Sequence, residues 1–176
     1  MRTLVLGGIR SGKSQWAEAA LAAEAADAQP MRYLATGPSP SGDPEWAARV
    51  AAHRRRRQDR WSTVETTDVA TQLRAQPIAT LIDDIGAWLT AAMDRTGAWD
   101  TGSVAAAVDD LLDAVGGFPA PLAVVSPEVG LTVVPATQAG RRFADELGAL
   151  NQRLAAACDR VVLVIAGQPV AVKEPA

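Results

Sequence analysis

Glycines, a lysine and a serine near the start of the chain follow an order that suits phosphate binding. Residues 7–14 satisfy the pattern G-x-x-x-x-G-K-[ST], in which glycines let consecutive backbone N–H groups turn toward an anion. A helix beginning near Lys13 would add its N-terminal dipole, Lys13 would contact the β- and γ-phosphates, and Ser14 would bind Mg²⁺. The alternative is a turn that only joins a strand to a helix, which the strand–loop–helix context disfavours. We predict nucleotide contacts from Gly7, Gly8, Ile9, Arg10, Ser11, Gly12, Lys13 and Ser14.

An acidic residue follows the short β-prone run at residues 80–82. Phosphate loops of this kind are usually paired with an acidic residue at the end of a neighbouring strand, which binds magnesium directly or through water. Asp83 is therefore the second predicted magnesium residue, and Asp84 is the alternative. Without the loop upstream, an aspartate here would be read as an ordinary strand-end or helix-capping residue.

The only histidine, His53, precedes four consecutive arginines. The segment could be a solvated helix face with His53 on its apolar side. A nucleic-acid patch is a second interpretation, although the arginines have no aromatic residues among them and the protein is acidic overall. In a third, the neutral imidazole attacks an α-phosphate and forms a covalent phosphoramidate, while the arginines offset phosphate charge. Spacing alone does not choose between the three.

Alternating strand and helix patterns must position these residues. Short apolar or β-branched runs predict strands at 3–6, 31–35, 61–65, 80–82, 121–126 and 161–166. Helix formers and capping residues predict helices at 13–27, 68–74, 86–95, 103–115 and 137–158, and one beginning at 43–44 with Trp46, Val50, His53 and Arg57 along one side. This alternation predicts one α/β domain over residues 1–176, with a mostly parallel central sheet covered by helices on both faces.

Composition narrows the class of protein. At 176 residues with 48% hydrophobic residues, the chain is long enough to bury a core. The net charge of −3 gives no indication of a nucleic-acid or membrane partner. One cysteine, Cys158, and one histidine exclude an intrachain disulfide and a Cys/His zinc site. Since no apolar run is long enough for a signal peptide or a membrane helix, we expect a cytoplasmic protein.

The chain resembles the bifunctional adenosylcobinamide kinase/adenosylcobinamide-phosphate guanylyltransferase family of the cobalamin pathway. The similarity runs nearly end to end. It is carried by LVLGGIRSGKS, AARVAAHRRRR with the following Trp61 and Glu65, TLIDD, SPEVGLTVVP, GRRF and ALNQRLAAACDRVVLVIAG. One departure is Gln58, where members commonly have proline after the arginines.

The resemblance implies a fold similar to RecA-like P-loop proteins, assembly as a homotrimer, and two activities. These are phosphorylation of adenosylcobinamide by ATP or GTP, and transfer of GMP from GTP to the resulting phosphate. The catalytic residues would be Lys13 and His53, with His53 carrying the covalent GMP. Further nucleotide contacts are implied for Thr36, Gly37, Pro38, Arg54, Arg55, Arg56, Arg57, Gln58, Glu65 and Asp83.

Two other functions fit the residues themselves. A simple small-molecule kinase would use the phosphate loop and leave His53 structural. A nucleotide-binding switch or assembly module would bind GTP with negligible transfer chemistry. Labelling of His53 by nucleotide separates the bifunctional enzyme from both, and phosphorylation of a substrate separates these two from each other.

Overall fold

The computed structural model, which describes residues 1–25, 29–37 and 60–175, alternates strands and helices along most of its length. Its strands are β1 (Arg2–Gly7), β2 (Met31–Ala35), β3 (Trp61–Glu65), β4 (Ala79–Asp83), β5 (Leu122–Pro127), β6 (Arg160–Ile165) and β7 (Gln168–Lys173). Its helices are α1 (Lys13–Glu24), α2 (Val69–Ala75), α3 (Ile85–Thr96), α4 (Ala105–Gly116) and α5 (Gln138–Ala157).

Side-chain caps fix where three helices begin. Asp68 accepts a hydrogen bond from the Thr71 N–H at the start of α2, and Asp84 accepts one from the Ala87 N–H at the start of α3. Thr137 caps α5 in the same way. Each cap satisfies one of the N–H groups that the first turn of a helix leaves without a partner.

The described strands form one seven-stranded sheet in the order β3-β2-β4-β5-β1-β6-β7. Every pairing in it is parallel except that of β6 with β7. Strand β5 therefore lies between β1 and β4, which brings the carboxyl ends of all three strands to one edge of the sheet. In open parallel sheets this edge is where ligands bind.

Two apolar cores lie on opposite faces of the sheet. Helix α1 packs on one face, where Ala17 and Leu21 contact strand residues such as Val5 and Leu81. Helices α2 to α5 cover the other face, where Leu89 and Leu150 join a larger cluster. The alternation of strand side chains between faces explains why neighbouring residues such as Leu4 and Val5 enter different cores.

Most of the predicted elements are confirmed within one or two residues. The strands at 31–35 and 61–65 match, and the mostly parallel sheet with helices on both faces is as predicted. The predicted helix beginning at 43–44 falls outside the described residues.

The strand β7 is absent from the predictions, since Pro169 and exposed valines in QPVAVK lack a buried-strand pattern. It forms because a two-residue turn directs the chain back along the open edge of β6, with which β7 pairs antiparallel.

The longest described helix, α5, has charged residues spread along it. No helix in the described part of the chain is both long and apolar enough to cross a lipid bilayer.

Candidate functional site

The phosphate loop connects the end of β1 to the start of α1, as predicted. Gly12 precedes the first helical residue with φ 92, a left-handed conformation that favours glycine, and Arg10 also has positive φ. The Trp16 N–H donates to the Gly12 carbonyl at 3.0 Å, so the helix begins directly at the loop. The N–H groups of its first turn therefore face the carboxyl edge of the sheet, a position that suits the binding of an anion.

Lys13 and Ser14 lie in the first turn of α1 and are both partly exposed. The Lys13 Nζ atom lies 3.4 Å from the Gly8 carbonyl oxygen, which holds the ammonium over the loop. A cation there and a hydroxyl one residue later reproduce the donor set that binds the terminal phosphates of a nucleotide together with a magnesium ion.

The turn between β6 and β7 braces the phosphate loop from behind. The Gly167 N–H donates to the Ser11 carbonyl at 2.7 Å. A Cβ atom on Gly12 would lie 3.2 Å from the Gly167 Cα atom, so the two segments pack backbone against backbone. The hairpin that the sequence analysis missed is thus part of the support for the predicted loop.

Asp83 ends β4, two strands from β1, which is roughly 10 Å along the sheet edge. Its Oδ2 atom accepts a hydrogen bond from the Tyr33 hydroxyl, and its carbonyl accepts one from the Thr36 N–H at 3.1 Å. The carboxylate is partly exposed at the same edge as the phosphate loop. This position fits the predicted metal role, which stays a prediction.

Asp84 has a different environment. Its Oδ1 atom accepts the Ala87 N–H at 2.8 Å as the cap of α3. Burial, and then the negative charge of Asp83, raise the pKa of the Asp84 carboxyl, while the Ala87 N–H and the charge of Lys13 oppose that rise. The carboxyl group therefore lies within the electrostatic reach of Lys13, and a cation bound nearby would favour its ionised form.

The residues predicted to contact nucleotide do not all meet at the phosphate loop. Thr36 is buried at the end of β2, and its hydroxyl donates to the Asp84 carbonyl at 2.5 Å. Gly37 follows it at the end of a described range. Glu65 ends β3, four strands from β1 and roughly 19 Å away, with an exposed side chain. The phosphate loop and Glu65 are therefore separate positions along the carboxyl edge of the sheet.

Several predicted site residues fall outside the described ranges. They are Pro38, His53, Arg54, Arg55, Arg56, Arg57 and Gln58.

Two residues at this edge escaped the sequence prediction. Glu128 follows β5, and its N–H donates to the Gly7 carbonyl at 3.1 Å. Asn151 is buried in α5, where its side chain accepts from the Ser126 hydroxyl at 2.6 Å and donates to the Pro127 carbonyl at 3.1 Å.

Signals for both residues were present in the sequence. Glu128 is an acidic residue just after an apolar run, as Asp83 is. Asn151 is a polar residue at helical spacing within the apolar row Leu147, Leu150 and Leu154.

The donor set at this edge fits a magnesium ion held mainly by phosphates. Within the described ranges, no three His, Cys, Asp or Glu side chains converge as a metal cage. Magnesium in phosphoryl-transfer sites is usually held by one or two carboxylates, phosphate oxygens and water. The Ser14 hydroxyl and the Asp83 carboxylate are groups of that kind, and their role as metal ligands stays a prediction.

Comparison with known proteins identifies the family of the chain over nearly its whole length. Residues 3–172 match the family model described as cobinamide kinase / cobinamide phosphate guanyltransferase. The chain is 40% identical over 177 residues to the bifunctional adenosylcobalamin biosynthesis protein CobP of Pseudomonas aeruginosa, with 98% of each chain covered. It is 37% identical over 187 residues to the bifunctional adenosylcobalamin biosynthesis protein CobU of Salmonella typhimurium. This match covers 98% of this chain and 100% of the other.

Among solved structures, the fold is similar to an ATPase from the type III secretion system of pathogenic bacteria. The TM-score is 0.55 at 14% identity, over 97% of this chain and 56% of that chain. At this identity the likeness concerns the fold alone, which is that of P-loop nucleotide-binding proteins.

Proposed function

The chain belongs to the cobinamide kinase / cobinamide phosphate guanyltransferase family, and from this premise we infer that it is a bifunctional enzyme of adenosylcobalamin biosynthesis. It phosphorylates adenosylcobinamide with a nucleoside triphosphate and then transfers GMP from GTP to that phosphate. The observation that carries this function is the phosphate loop on β1 and α1, within a family match that covers residues 3–172.

For the kinase reaction we assign phosphate binding to residues 7–14, with Lys13 as the cation on the transferred group. Its ammonium already lies over the loop, 3.4 Å from the Gly8 carbonyl. Ser14 and Asp83 are the proposed protein ligands of Mg²⁺. When bound, this ion would neutralise charge on the β- and γ-phosphates and help to align them.

For the guanylyl reaction we propose that His53 is the nucleophile. An imidazole nitrogen attacks the α-phosphorus of GTP, the bond to the bridging oxygen breaks, and pyrophosphate leaves. The cobinamide phosphate oxygen then attacks the same phosphorus and releases the imidazole. The proposal is supported by the family resemblance around His53, by the arginines beside it in sequence, and by the chemistry of neutral imidazole.

The other soft nucleophile in the chain is poorly suited to this role. Burial raises the pKa of the Cys158 thiol to about 12, so the reactive thiolate is scarce at neutral pH. We therefore expect covalent nucleotide on His53 and not on Cys158.

Additional GTP contacts are proposed for Thr36, Gly37, Pro38, the four arginines at residues 54–57, Gln58 and Glu65. Because Glu65 lies roughly 19 Å along the edge from the phosphate loop, it would contact a part of the nucleotide remote from phosphates held in the loop.

The labelling experiment uses GTP with a radioactive α-phosphate. Wild type should retain an acid-labile, base-stable label, and His53→Ala should lose it while still phosphorylating adenosylcobinamide. Cys158→Ala serves as the control and should label normally. A wild-type protein that phosphorylates the substrate but never takes the label would refute the histidine mechanism.

We also propose one domain over residues 1–176, a homotrimer and a cytoplasmic location. The single sheet that joins all described strands supports the first. The exposed apolar residues Ile165, Val170 and Val172 on β6 and β7, at an open sheet edge, support an assembly of copies. The proposed use of ATP or GTP as phosphoryl donor supports the third.

A further inference from the structure

We propose that Glu128 is the general base of the kinase reaction, the residue that receives the proton of the acceptor hydroxyl. The inference rests on the proposed kinase function and adds a residue to it. Its starting point is that β5, which Glu128 follows, lies between the strand of the phosphate loop and the strand of Asp83.

The backbone of Glu128 is joined to the phosphate loop. Its N–H donates to the Gly7 carbonyl at 3.1 Å, and Gly7 pairs in register with Pro127, the preceding residue. Since phosphates bound in the loop lie beyond the end of β1, the residue after the neighbouring strand is placed beside them. Glu128 is partly exposed there, so a substrate group can reach it.

The segment that carries Glu128 is held from two sides. The Asn151 amide donates to the Pro127 carbonyl and accepts from the Ser126 hydroxyl, both within hydrogen-bond distance in the interior. On the other side, Gly86 packs so closely that a Cβ atom there would lie 2.7 Å from the Pro127 ring. A position held in this way suits a group that must act at fixed geometry.

The carboxylates of Asp83, Asp84 and Glu128, which lie at the ends of β4 and β5, are engaged differently. Asp84 caps a helix, and Asp83 accepts the Tyr33 hydroxyl. The Glu128 Oε1 atom accepts the Gly130 N–H at 2.6 Å, which orients the carboxylate. Among the described residues, no hydrogen bond engages its Oε2 atom, which is therefore the oxygen proposed to accept the proton.

In the proposed step, the hydroxyl oxygen of the acceptor attacks the γ-phosphorus of the nucleotide. A new oxygen–phosphorus bond forms, and the bond from γ-phosphorus to the β–γ bridging oxygen breaks. The bond's electron pair leaves with the nucleoside diphosphate. The hydroxyl proton passes to Glu128 and later to water.

The decisive variant is Glu128→Gln, because the amide oxygen can still accept the Gly130 N–H but is not basic. We expect the kcat of adenosylcobinamide phosphorylation to fall about 100-fold or more, with KM for both substrates within about twofold. The acid limb of the kcat–pH profile should also disappear. Labelling by α-labelled GTP should match wild type, since that reaction needs no acceptor hydroxyl.

The control variant is Glu174→Gln, which removes a carboxylate 3.6 Å from Arg160. Arg160 lies where the parallel strands begin, at the opposite end of the strands from the phosphate loop, so this variant should keep full activity. Unchanged kinase kcat in Glu128→Gln would overturn the base role and leave Glu128 as a turn residue. Equal loss of phosphorylation and of labelling would also overturn it, since that points to a general defect. A wild type that labels but does not phosphorylate would reject the proposed kinase itself.

Discussion

At the scale of single residues, the site places one lysine cation close to several carboxylates. Lys13 supplies the one lysine cation of the loop, and the carboxylates of Asp83, Asp84 and Glu128 lie along the neighbouring strand ends. A phosphate bound in the loop would meet the Lys13 cation, and the metal ion proposed at Ser14 and Asp83 would offset further charge on it. The arrangement suits phosphoryl transfer, in which charge stabilisation and alignment do most of the work.

Replacing Lys13 by methionine should lower the kinase kcat about 100-fold or more, because one preorganised positive charge on the transferred phosphate is lost. The measurement is phosphorylation of adenosylcobinamide at saturating nucleotide.

The chain has only one other lysine, Lys173, which donates to the Ala155, Ala156 and Cys158 carbonyls at the end of α5. Lys173→Met is therefore a matched control that should keep activity and lose some stability. Equal activity of Lys13→Met and Lys173→Met would contradict the role of Lys13.

Asp84→Asn should raise the melting temperature of the nucleotide-free, metal-free protein at neutral pH. The amide can still accept the Ala87 N–H, while the buried negative charge beside Asp83 is removed. Because the folded-state pKa of Asp84 is raised, its ionised form costs wild type stability as pH rises through that pKa.

The stabilisation should therefore shrink as pH falls and vanish near and below the ordinary pKa of an aspartate, where both states of wild type are protonated. Calorimetry of both proteins from pH 3 to pH 8 measures this. A melting-temperature difference that is the same at every pH would show that burial of charge is not its cause.

At the scale of elements, the site depends on how closely α3 approaches the end of β5. Gly86, in the first turn of α3, allows the Pro127 ring to pack against the helix backbone. This contact sets the spacing between Asp84, which caps the helix, and Glu128, which follows the strand. The absence of a Cβ atom at Gly86 therefore determines how closely these two acidic residues, from different elements, approach each other.

Gly86→Ala should destabilise the protein by roughly 1–3 kcal/mol, as overpacking of a filled site typically does, and should lower kinase activity by displacing the two carboxylates. Gly148→Ala is the control, because a Cβ atom there meets nothing within 4 Å and alanine favours the helix. Urea unfolding and phosphorylation rates measure both effects. Loss of activity in both variants alike would remove the link to the α3–β5 contact.

At the scale of the whole molecule, strand β7 forms one open edge of the described sheet and carries exposed apolar side chains. Val170 and Val172 are 49% and 62% exposed on that strand, and Ile165 is 55% exposed at the end of β6. Natural proteins usually protect such an edge or pair it with another chain. A closed trimer would cover it in every copy.

The double variant Val170→Lys, Val172→Lys should dissociate the proposed trimer, because two positive charges from each copy would be buried at the interface. Light scattering should then give the chain mass of 18.4 kDa, against about three times that for wild type. Thr71→Lys, at an exposed residue of the helix α2 that connects β3 to β4, should leave the oligomeric state of wild type unchanged. A wild type that is monomeric at micromolar concentration would contradict the proposal directly.

Sequence patterns were sufficient for the features that depend on neighbouring residues. The phosphate loop is a local structure, since eight consecutive residues carry its glycines, its lysine and its serine, and a strand and helix flank it. Strand and helix positions also followed from local periodicity, and parallel pairing followed from their alternation.

Only the tertiary structure decided which distant residues lie around the phosphate loop. Asn151 reaches Ser126 across 25 positions of sequence, and Gly167 supports Ser11 across more than 150. The order of the strands puts Glu128 beside the phosphate loop and Glu65 four strands away from it, although both simply lie at the ends of predicted strands in the sequence. Local patterns specify elements, but strand order and packing between distant segments determine which side chains share one edge, and those contacts have no local signature.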